Sequence, residues 1–182
     1  MVRQSLLLGL CLIGLVGCNQ HSASRPQSPK HVPAGDIGSR FPDFSVKDLQ
    51  GHPLSSNDLR GKVVLVDFWA TWCQPCKQEM PGYQSLVDHY GSAGVEVIGF
   101  KFDVMPDMED PIQFARGIGV SYPLAVASDD VKQKFGGIDG LPTTMLYDRQ
   151  GVLRLKVIGF EYTDTIESAL KPLLVSPSSL PD

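Results

Sequence analysis

The chain has 182 residues, of which 20% are charged, and its 16 Lys and Arg against 20 Asp and Glu give a net charge of −4. This acidic balance argues against a nucleic-acid partner, because proteins that bind nucleic acids usually carry a basic surface. The length is enough for one ordinary domain that buries its core without cross-links.

Residues 1–17 are predicted to be an export signal. One basic side chain, Arg3, precedes an apolar stretch of about a dozen residues, which suits a signal peptide and is too short to span a bilayer. Residues 15–18, Leu-Val-Gly-Cys, resemble a bacterial lipobox, which implies cleavage before Cys18 and attachment of lipid to its sulfur. We therefore expect an exported protein that is lipid-anchored to the bacterial membrane and faces the periplasm. Asn19 slightly favours the outer membrane, and the choice between inner and outer membrane stays open.

The remaining chain is expected to divide into three parts. Residues 18–40 are rich in Pro and Ser and show no hydrophobic period, so they are predicted to form a flexible tether. Residues 41–175 are predicted to be one folded domain, and residues 176–182 a C-terminal tail. If Cys18 carries lipid, the mature chain keeps one thiol pair, Cys73 and Cys76.

Strands and helices are predicted to alternate along the domain. A peripheral strand is expected within residues 44–54 and a central strand, buried on both faces, at 62–70. A helix follows the cysteines and is expected to kink at Pro81-Gly82 without ending. The later predictions are a strand at 95–100, a helix at 111–117, an apolar run at 123–127, a helix at 129–135, strands at 143–148 and 153–159 joined by a turn, and a closing helix at 163–174. This order predicts a layered α/β sheet with a late antiparallel part.

The cysteine pair carries the predicted chemistry. A strand that runs into Cys73-Gln74-Pro75-Cys76 and then into a helix places Cys73 at the helix N-terminus, where free N–H groups and the helix dipole stabilise a thiolate. Cys76 lies one turn further on, within reach of Cys73 for a disulfide. Pro75 suits a first helical turn because its missing N–H would have been unpaired.

A zinc site is the main rival interpretation of two cysteines at this spacing. Zinc needs about four ligands, and the chain has no second Cys or His pair. Its four histidines are scattered, at His21, His31, His52 and His89. We therefore expect no metal at this site.

The segment VDFWATWCQPCKQEMP, residues 66–81, resembles the active-site segment of the thioredoxin superfamily. With the upstream GKVVLV it most resembles the exported, membrane-tethered TlpA/ResA branch, and the similarity continues through FPDFSVKDLQG and GIDGLPTTMLYDRQG. The resemblance implies a thioredoxin-like α/β fold, with a central mixed β-sheet flanked by helices, an N-terminal strand extension and a βα insertion. It also implies thiol-disulfide exchange with protein clients and no cofactor beyond a redox-active Cys73–Cys76 disulfide.

The resemblance also implies roles for single residues. Cys73 matches the attacking cysteine and Cys76 the resolving one. Trp72 matches the family's aromatic flank, although simple packing is the alternative for a Trp at this place. Pro142 matches the proline that the family holds in cis opposite the cysteines, and the backbone of the preceding Leu141 would offer hydrogen bonds to a substrate peptide.

Two acidic residues near the cysteines are candidates for proton transfer. Asp67 shares a strand face with Val63 and Leu65, so it is expected to be buried, with a raised pKa that suits a proton acceptor for Cys76. It matches the buried aspartate of thioredoxins, and the alternative is an Asp turned to solvent near the strand end. Glu79 matches an active-site glutamate of the TlpA/ResA branch, which more often has an amide at the position of Asp67. The alternative for Glu79 is an exposed helical side chain.

The predicted function is reduction of disulfides in exported protein clients, for example in cytochrome c maturation. Electrons would come from a membrane or periplasmic donor, and the protein is expected to be a monomer. A thiol oxidant or isomerase stays open as the alternative, because the reduction potential decides the direction. A thiol peroxidase would need Pro-x-x-x-Thr-x-x-Cys, which residues 69–72 do not provide, and a metal-carrying chaperone would need a His or Met set near the cysteines.

Overall fold

The computed structural model describes residues 36–102 and 109–175, together with the backbone of residues 30–31. The strands are β1 (Lys30–His31), β2 (Ser45–Lys47), β3 (Pro53–Ser55), β4 (Val63–Trp69), β5 (Val95–Lys101), β6 (Leu124–Val126), β7 (Thr143–Tyr147) and β8 (Leu153–Ile158). The α-helices are α1 (Gln74–Tyr90), α2 (Pro111–Gly117), α3 (Asp129–Lys134) and α4 (Thr163–Leu174). The predicted export signal, the predicted lipidation site at Cys18 and the predicted C-terminal tail lie outside the described residues. Among the helices of the described ranges, none combines the length and the apolar character needed to cross a membrane.

The predicted order of elements is confirmed from residue 44 onward. One sheet has the strand order β1-β8-β7-β4-β5-β6. Strands β4, β5 and β6 are mutually parallel, β7 is antiparallel to β4, and β8 is antiparallel to β7. The β2–β3 hairpin forms a separate two-stranded sheet, and α2 with β6 is inserted between β5 and α3. This is the mixed α/β sheet with an N-terminal extension and a βα insertion that the resemblance implies.

Strand β4 is central because both of its faces are buried. All seven of its residues are buried, which explains the continuous apolar run in the sequence. One face carries Val63, Leu65 and Trp69 into a core cluster shared with α1, α2 and α4. The other face carries Val64, Val66 and Phe68 into a second cluster with the β2–β3 hairpin and α3. Helix α1 continues through Pro81, as predicted.

The amino-terminal segment follows the free edge of β8. Lys30 pairs with Ile158 in β1, and Arg40 forms a bridge with Val152 near the other end of β8. Between them, the Lys156 ammonium lies 2.7 Å from an oxygen of Asp36. Backbone pairing therefore begins before residue 41, where the sequence places the start of the domain.

Candidate active site

Cys73 and Cys76 form a disulfide at the start of α1. Cys73 is the N-cap of the helix, and the Cys76 N–H donates to the Cys73 Sγ at 3.3 Å. Pro75 lies in the first helical turn, where no hydrogen bond is lost. Cys73 is 4% exposed and Cys76 is fully buried, so only Cys73 has any surface that another molecule can reach.

Strand register brings a second loop to the disulfide end of the sheet. Phe68, near the end of β4, pairs with Thr143 at the start of β7. The loop before Thr143 holds the Leu141–Pro142 peptide bond, which is cis, as the resemblance implies. Trp72, beside Cys73, is 36% exposed at this end. The structure therefore brings together the residues that the sequence singled out in two distant segments.

Asp67 lies inside the protein beneath this end of the sheet. It is fully buried, opposite Gly99 of β5 and Thr144 of β7, on the face of β4 that points to α1. Neither of its carboxyl oxygens has a hydrogen-bond partner among the described residues. Burial therefore raises the pKa of Asp67 well above its ordinary value. The alternative of a solvent-facing aspartate is excluded.

Glu79 is also buried, which excludes the alternative of an exposed helical side chain. It lies one turn after Cys76 in α1 and is 2% exposed. Burial, and then the charge of Asp67, raise the pKa of Glu79. Two buried carboxyls that repel one another cannot both ionise easily, so protons remain available beneath the disulfide.

Several residues of this buried cluster were not predicted from the sequence. The Glu161 N–H donates to a Glu79 oxygen at 3.4 Å, from the loop before α4. The hydroxyls of Tyr83 and Thr144 are 2.8 Å apart, and Tyr122 is buried nearby. Burial raises the pKa of both tyrosines, and Asp67 and Glu79 add to the rise. No sequence signal marks these residues as one cluster, because they come from helix α1, strand β7 and two loops that are far apart in the chain.

No cluster of three or more His, Cys, Asp or Glu side chains in the described ranges is arranged to hold a metal ion. The polar cluster beneath the disulfide instead combines two carboxyls with tyrosine and threonine hydroxyls. Such groups can hold and move protons next to a thiol pair.

Comparisons with known proteins agree on the family. Residues 37–156 match the family described as the AhpC/TSA family. The thiol-disulfide oxidoreductase ResA of Geobacillus kaustophilus is 34% identical over 137 residues, which cover 75% of this chain and 78% of that protein. The thioredoxin-like protein YneN of Bacillus subtilis is 34% identical over 149 residues, covering 81% of this chain and 86% of that protein.

A solved structure shows the same fold. The thiol:disulfide interchange protein of the thioredoxin family from Chlorobium tepidum TLS superposes with a TM-score of 0.69 at 27% identity, covering 76% of this chain and 97% of that one. The thioredoxin-like fold is thereby confirmed. With its Cys73–Cys76 disulfide, the chain belongs to the AhpC/TSA family and is a ResA-like thiol-disulfide oxidoreductase.

Proposed function

We propose that this oxidoreductase reduces disulfides in exported protein clients through Cys73 and Cys76. The observation that carries the proposal is the disulfide at the N-terminus of α1 above two buried carboxyls. The helix N-terminus stabilises a thiolate at Cys73, and the carboxyls can exchange a proton with Cys76.

The reaction is a two-step exchange that moves two electrons. The Cys73 thiolate attacks one sulfur of the client disulfide, forms a mixed disulfide and releases the other client sulfur as a thiolate, which takes up a proton. Cys76 then loses its proton and attacks Cys73, which closes the Cys73–Cys76 disulfide and releases the client's second thiol. The client gains two electrons and two protons, and a dithiol donor in the membrane or periplasm then reduces the Cys73–Cys76 disulfide and is itself oxidised to a disulfide.

Asp67 and Glu79 would have different roles in proton transfer. Asp67 would accept the proton of Cys76 during resolution, and Glu79, one turn from Cys76, would tune the site. Trp72, Leu141 and Pro142 would form the surface against which the client chain lies. The protein would act without any cofactor other than the disulfide.

The Asp67 role predicts a specific kinetic defect. Asp67→Asn should slow resolution of the mixed disulfide by roughly 100-fold, because general-base assistance is lost. Rapid-quench measurement of the resolution rate from pH 5 to 9 checks this. Glu79→Gln is the comparison: it should shift the pH profile of the rate but lower the rate less than Asp67→Asn does. An unchanged pH profile in Asp67→Asn would show that another group accepts the proton.

We further propose that the protein works outside the cytoplasm, anchored through lipid on Cys18. The support is the sequence of residues 1–18, with its apolar stretch and lipobox-like end. Apocytochrome c is one client class that fits a reductant in this place.

The reduction potential of the Cys73/Cys76 pair tests the direction of electron flow. It would be measured in the purified mature protein by equilibration with a dithiol buffer and, separately, a glutathione buffer. We expect a potential well below the glutathione poise, which makes the dithiol a strong donor. A potential well above that poise would make the protein an oxidant or isomerase and would overturn the assignment as a reductant.

A further inference from the structure

Five buried polar atoms without hydrogen-bond partners lie together on the α1 face of the sheet. They are both carboxyl oxygens of Asp67, one oxygen of Glu79, the indole Nε1 of Trp69 and the hydroxyl of Tyr122. Within the described residues only one other buried side-chain atom, the Arg149 Nε, lacks a partner. Buried polar groups are normally paired with protein or with internal water. Their concentration in one place therefore marks a polar interior that can pass protons.

Strand register brings these atoms to one place. Asp67 pairs with Gly99 of β5, and the Gly99 N–H donates to the carbonyl of Pro123. Tyr122 is the residue before Pro123. A Cβ at Gly99 would lie 2.9 Å from the Trp69 Nε1, so this indole N–H points to the space beside Asp67. The Asp67 carboxyl, the Trp69 indole and Tyr122 are therefore neighbours around Gly99.

A second set of contacts holds Tyr122 against α1, the helix that carries Glu79. The Oε1 of Gln84 in α1 accepts the Tyr122 N–H at 3.3 Å and the Ser121 N–H at 2.8 Å. Tyr122 is 5% exposed and belongs to the core cluster beneath α1. Burial, and then the charges of Asp67 and Glu79, raise the pKa of Tyr122, so its hydroxyl keeps its proton. A neutral hydroxyl that both donates and accepts suits a proton relay.

Tyr122 also borders a surface cavity. This cavity of about 240 Å³ lies between α2, the β2–β3 turn and the start of β6. Tyr122 lines it together with the exposed residues Gln50, Arg116 and Ser121, so the cavity opens to solvent. Its lining includes no residue of the disulfide or of the cis-proline loop. Tyr122 thus stands between the buried acids and solvent, away from the surface that would meet a client.

The proposed reaction needs a proton exit that does not cross the client. Asp67 can accept the Cys76 proton only after losing its own, because its raised pKa keeps it protonated near neutral pH. Cys76 is fully buried, and a client bound to Cys73 covers the surface above the pair. A second route lets resolution proceed while the client is attached. This step rests on the proton role of Asp67 in the proposed function.

We propose that Tyr122 is a proton-relay residue that connects Asp67 and Glu79 with solvent in this cavity. The proton of Asp67 passes through internal water to the Tyr122 hydroxyl, which releases its own proton toward the cavity and stays neutral. Asp67 then takes the Cys76 proton, while the Cys76 sulfur attacks Cys73 and the client sulfur leaves as a thiolate. For each resolution one proton leaves through Tyr122, and no electron passes along this route.

Other titratable and charged side chains surround the route. Those that face this interior or the cavity from the neighbouring elements are Asp67 of β4, Glu79 and Tyr83 of α1, Lys101 of β5, Arg116 of α2 and Glu161 of the loop before α4. None of these six lines the cavity except Arg116. Tyr122 is therefore the group that interacts with both acids and also borders the cavity.

Hydrogen–deuterium exchange of the Asp67 carboxyl measures the route without a client. The carbonyl stretch of a protonated carboxyl shifts when deuterium replaces its proton, so infrared spectroscopy after rapid mixing of the oxidised protein with D2O follows the exchange. The band that is absent from Asp67→Asn belongs to Asp67. Tyr122→Phe should slow exchange of this band by about tenfold or more. Tyr147→Phe is the matched control, because Tyr147 is 2% exposed in the cluster on the other face of the sheet, and it should exchange like wild type. Equal exchange in Tyr122→Phe and wild type would overturn the relay.

The cavity as the exit is tested at its rim. Ser121→Trp keeps the N–H that Gln84 accepts and narrows the mouth, so it should slow the same exchange by about threefold or more, because water reaches Tyr122 through a smaller opening. Ser121→Ala loses the same hydroxyl without filling the mouth and should follow wild type. Unchanged exchange in Ser121→Trp would overturn the cavity as the exit, even with slow exchange in Tyr122→Phe.

Resolution of the mixed disulfide then shows whether the enzyme uses the route. Tyr122→Phe should slow resolution by about tenfold and raise its solvent isotope effect. The reduction potential should stay that of wild type, because a relay changes rates and not end states. In the Asp67→Asn background the same substitution should have no further effect.

Equal slowing by Tyr122→Phe in both backgrounds would overturn the relay from Asp67. An unchanged pH profile for Asp67→Asn itself would overturn the base of the proposed function alone, because the exchange measurement detects the route without it.

Discussion

Cys73 and Cys76 differ in a way that predicts which one meets the client. Cys73 has exposed surface and caps the helix, whereas Cys76 is fully buried. Cys76→Ser should therefore trap a mixed disulfide between Cys73 and a disulfide peptide, and Cys73→Ser should give roughly tenfold less adduct or none. Mass spectrometry of the non-reduced mixture measures this. Equal trapping by both variants would mean that Cys76 also reaches the client.

The buried carboxyl of Asp67 predicts how stability depends on pH. Its raised folded pKa means that the folded protein keeps a proton that the unfolded chain releases above about pH 4. The free energy of unfolding should therefore fall as pH rises from about 4 toward the folded pKa. Asp67→Asn removes this titration, so the variant should gain stability relative to wild type as the pH rises from 5 to 8, by up to about 1.4 kcal/mol for each pH unit.

Urea unfolding of the oxidised protein at several pH values measures this gain. Asp58→Asn, which neutralises an exposed acid in the short 3-10 helix Ser56–Leu59, is the matched control and should follow wild type. Parallel profiles for Asp67→Asn and wild type would show that Asp67 is already ionised in the fold.

The sequence predicted some of these residues and not others for a physical reason. Asp67 was placed correctly because a strand alternates its faces, so its neighbours in the chain fixed its surroundings. Glu161 could not be predicted as a partner of Glu79, because their contact spans 82 positions and depends on how α4 packs. The hydrophobic period of a helix or strand predicts which of its faces is buried, but it does not predict which distant loop packs against that face.

At the scale of elements, the contact between α1 and α4 depends on one glycine. A Cβ added at Gly82 would lie 1.9 Å from the Thr163 Oγ1 and 3.0 Å from its Cβ. Gly82→Ala should lower the free energy of unfolding by about 1–3 kcal/mol, the usual cost of overpacking, although alanine is the better helix former by up to about 1 kcal/mol. Chemical denaturation of Gly82→Ala and wild type measures whether the free energy of unfolding falls or rises.

Two further variants separate this clash from a general effect of alanine. Gly91→Ala is the control, because its Cβ would meet only a Val87 methyl at 3.8 Å, and it should be neutral or stabilising. Thr163→Ala in the Gly82→Ala background should recover part of the loss by removing the Oγ1. A Gly82→Ala protein more stable than wild type would contradict this account of the α1–α4 contact.

At the scale of the whole molecule, part of the segment that the composition assigned to a flexible tether is paired with the edge of the sheet. Residues 18–40 lack a hydrophobic period, yet Asp36 reaches Lys156, 120 positions away, and Gly38 and Ser39 exchange backbone hydrogen bonds with Leu153. Pairing along a sheet edge uses backbone groups, which any sequence supplies, so composition could not reveal it. The elements of the central sheet were predictable because their side chains are buried, whereas this edge segment was not.

The Asp36–Lys156 pair predicts how firmly that segment is held. Lys156 is 6% exposed at its side chain, so Asp36→Ala leaves a buried ammonium without its carboxylate and should cost about 1–3 kcal/mol of unfolding free energy. Lys156→Met keeps the apolar stem, and the double variant should recover most of the loss. Hydrogen exchange at Gly38 and Leu153, whose N–H groups join the segment to β8, should quicken in Asp36→Ala and return toward wild type in the double variant. If exchange stays slow in Asp36→Ala while stability falls, the pair stabilises β8 alone, and the backbone pairing holds the segment without it.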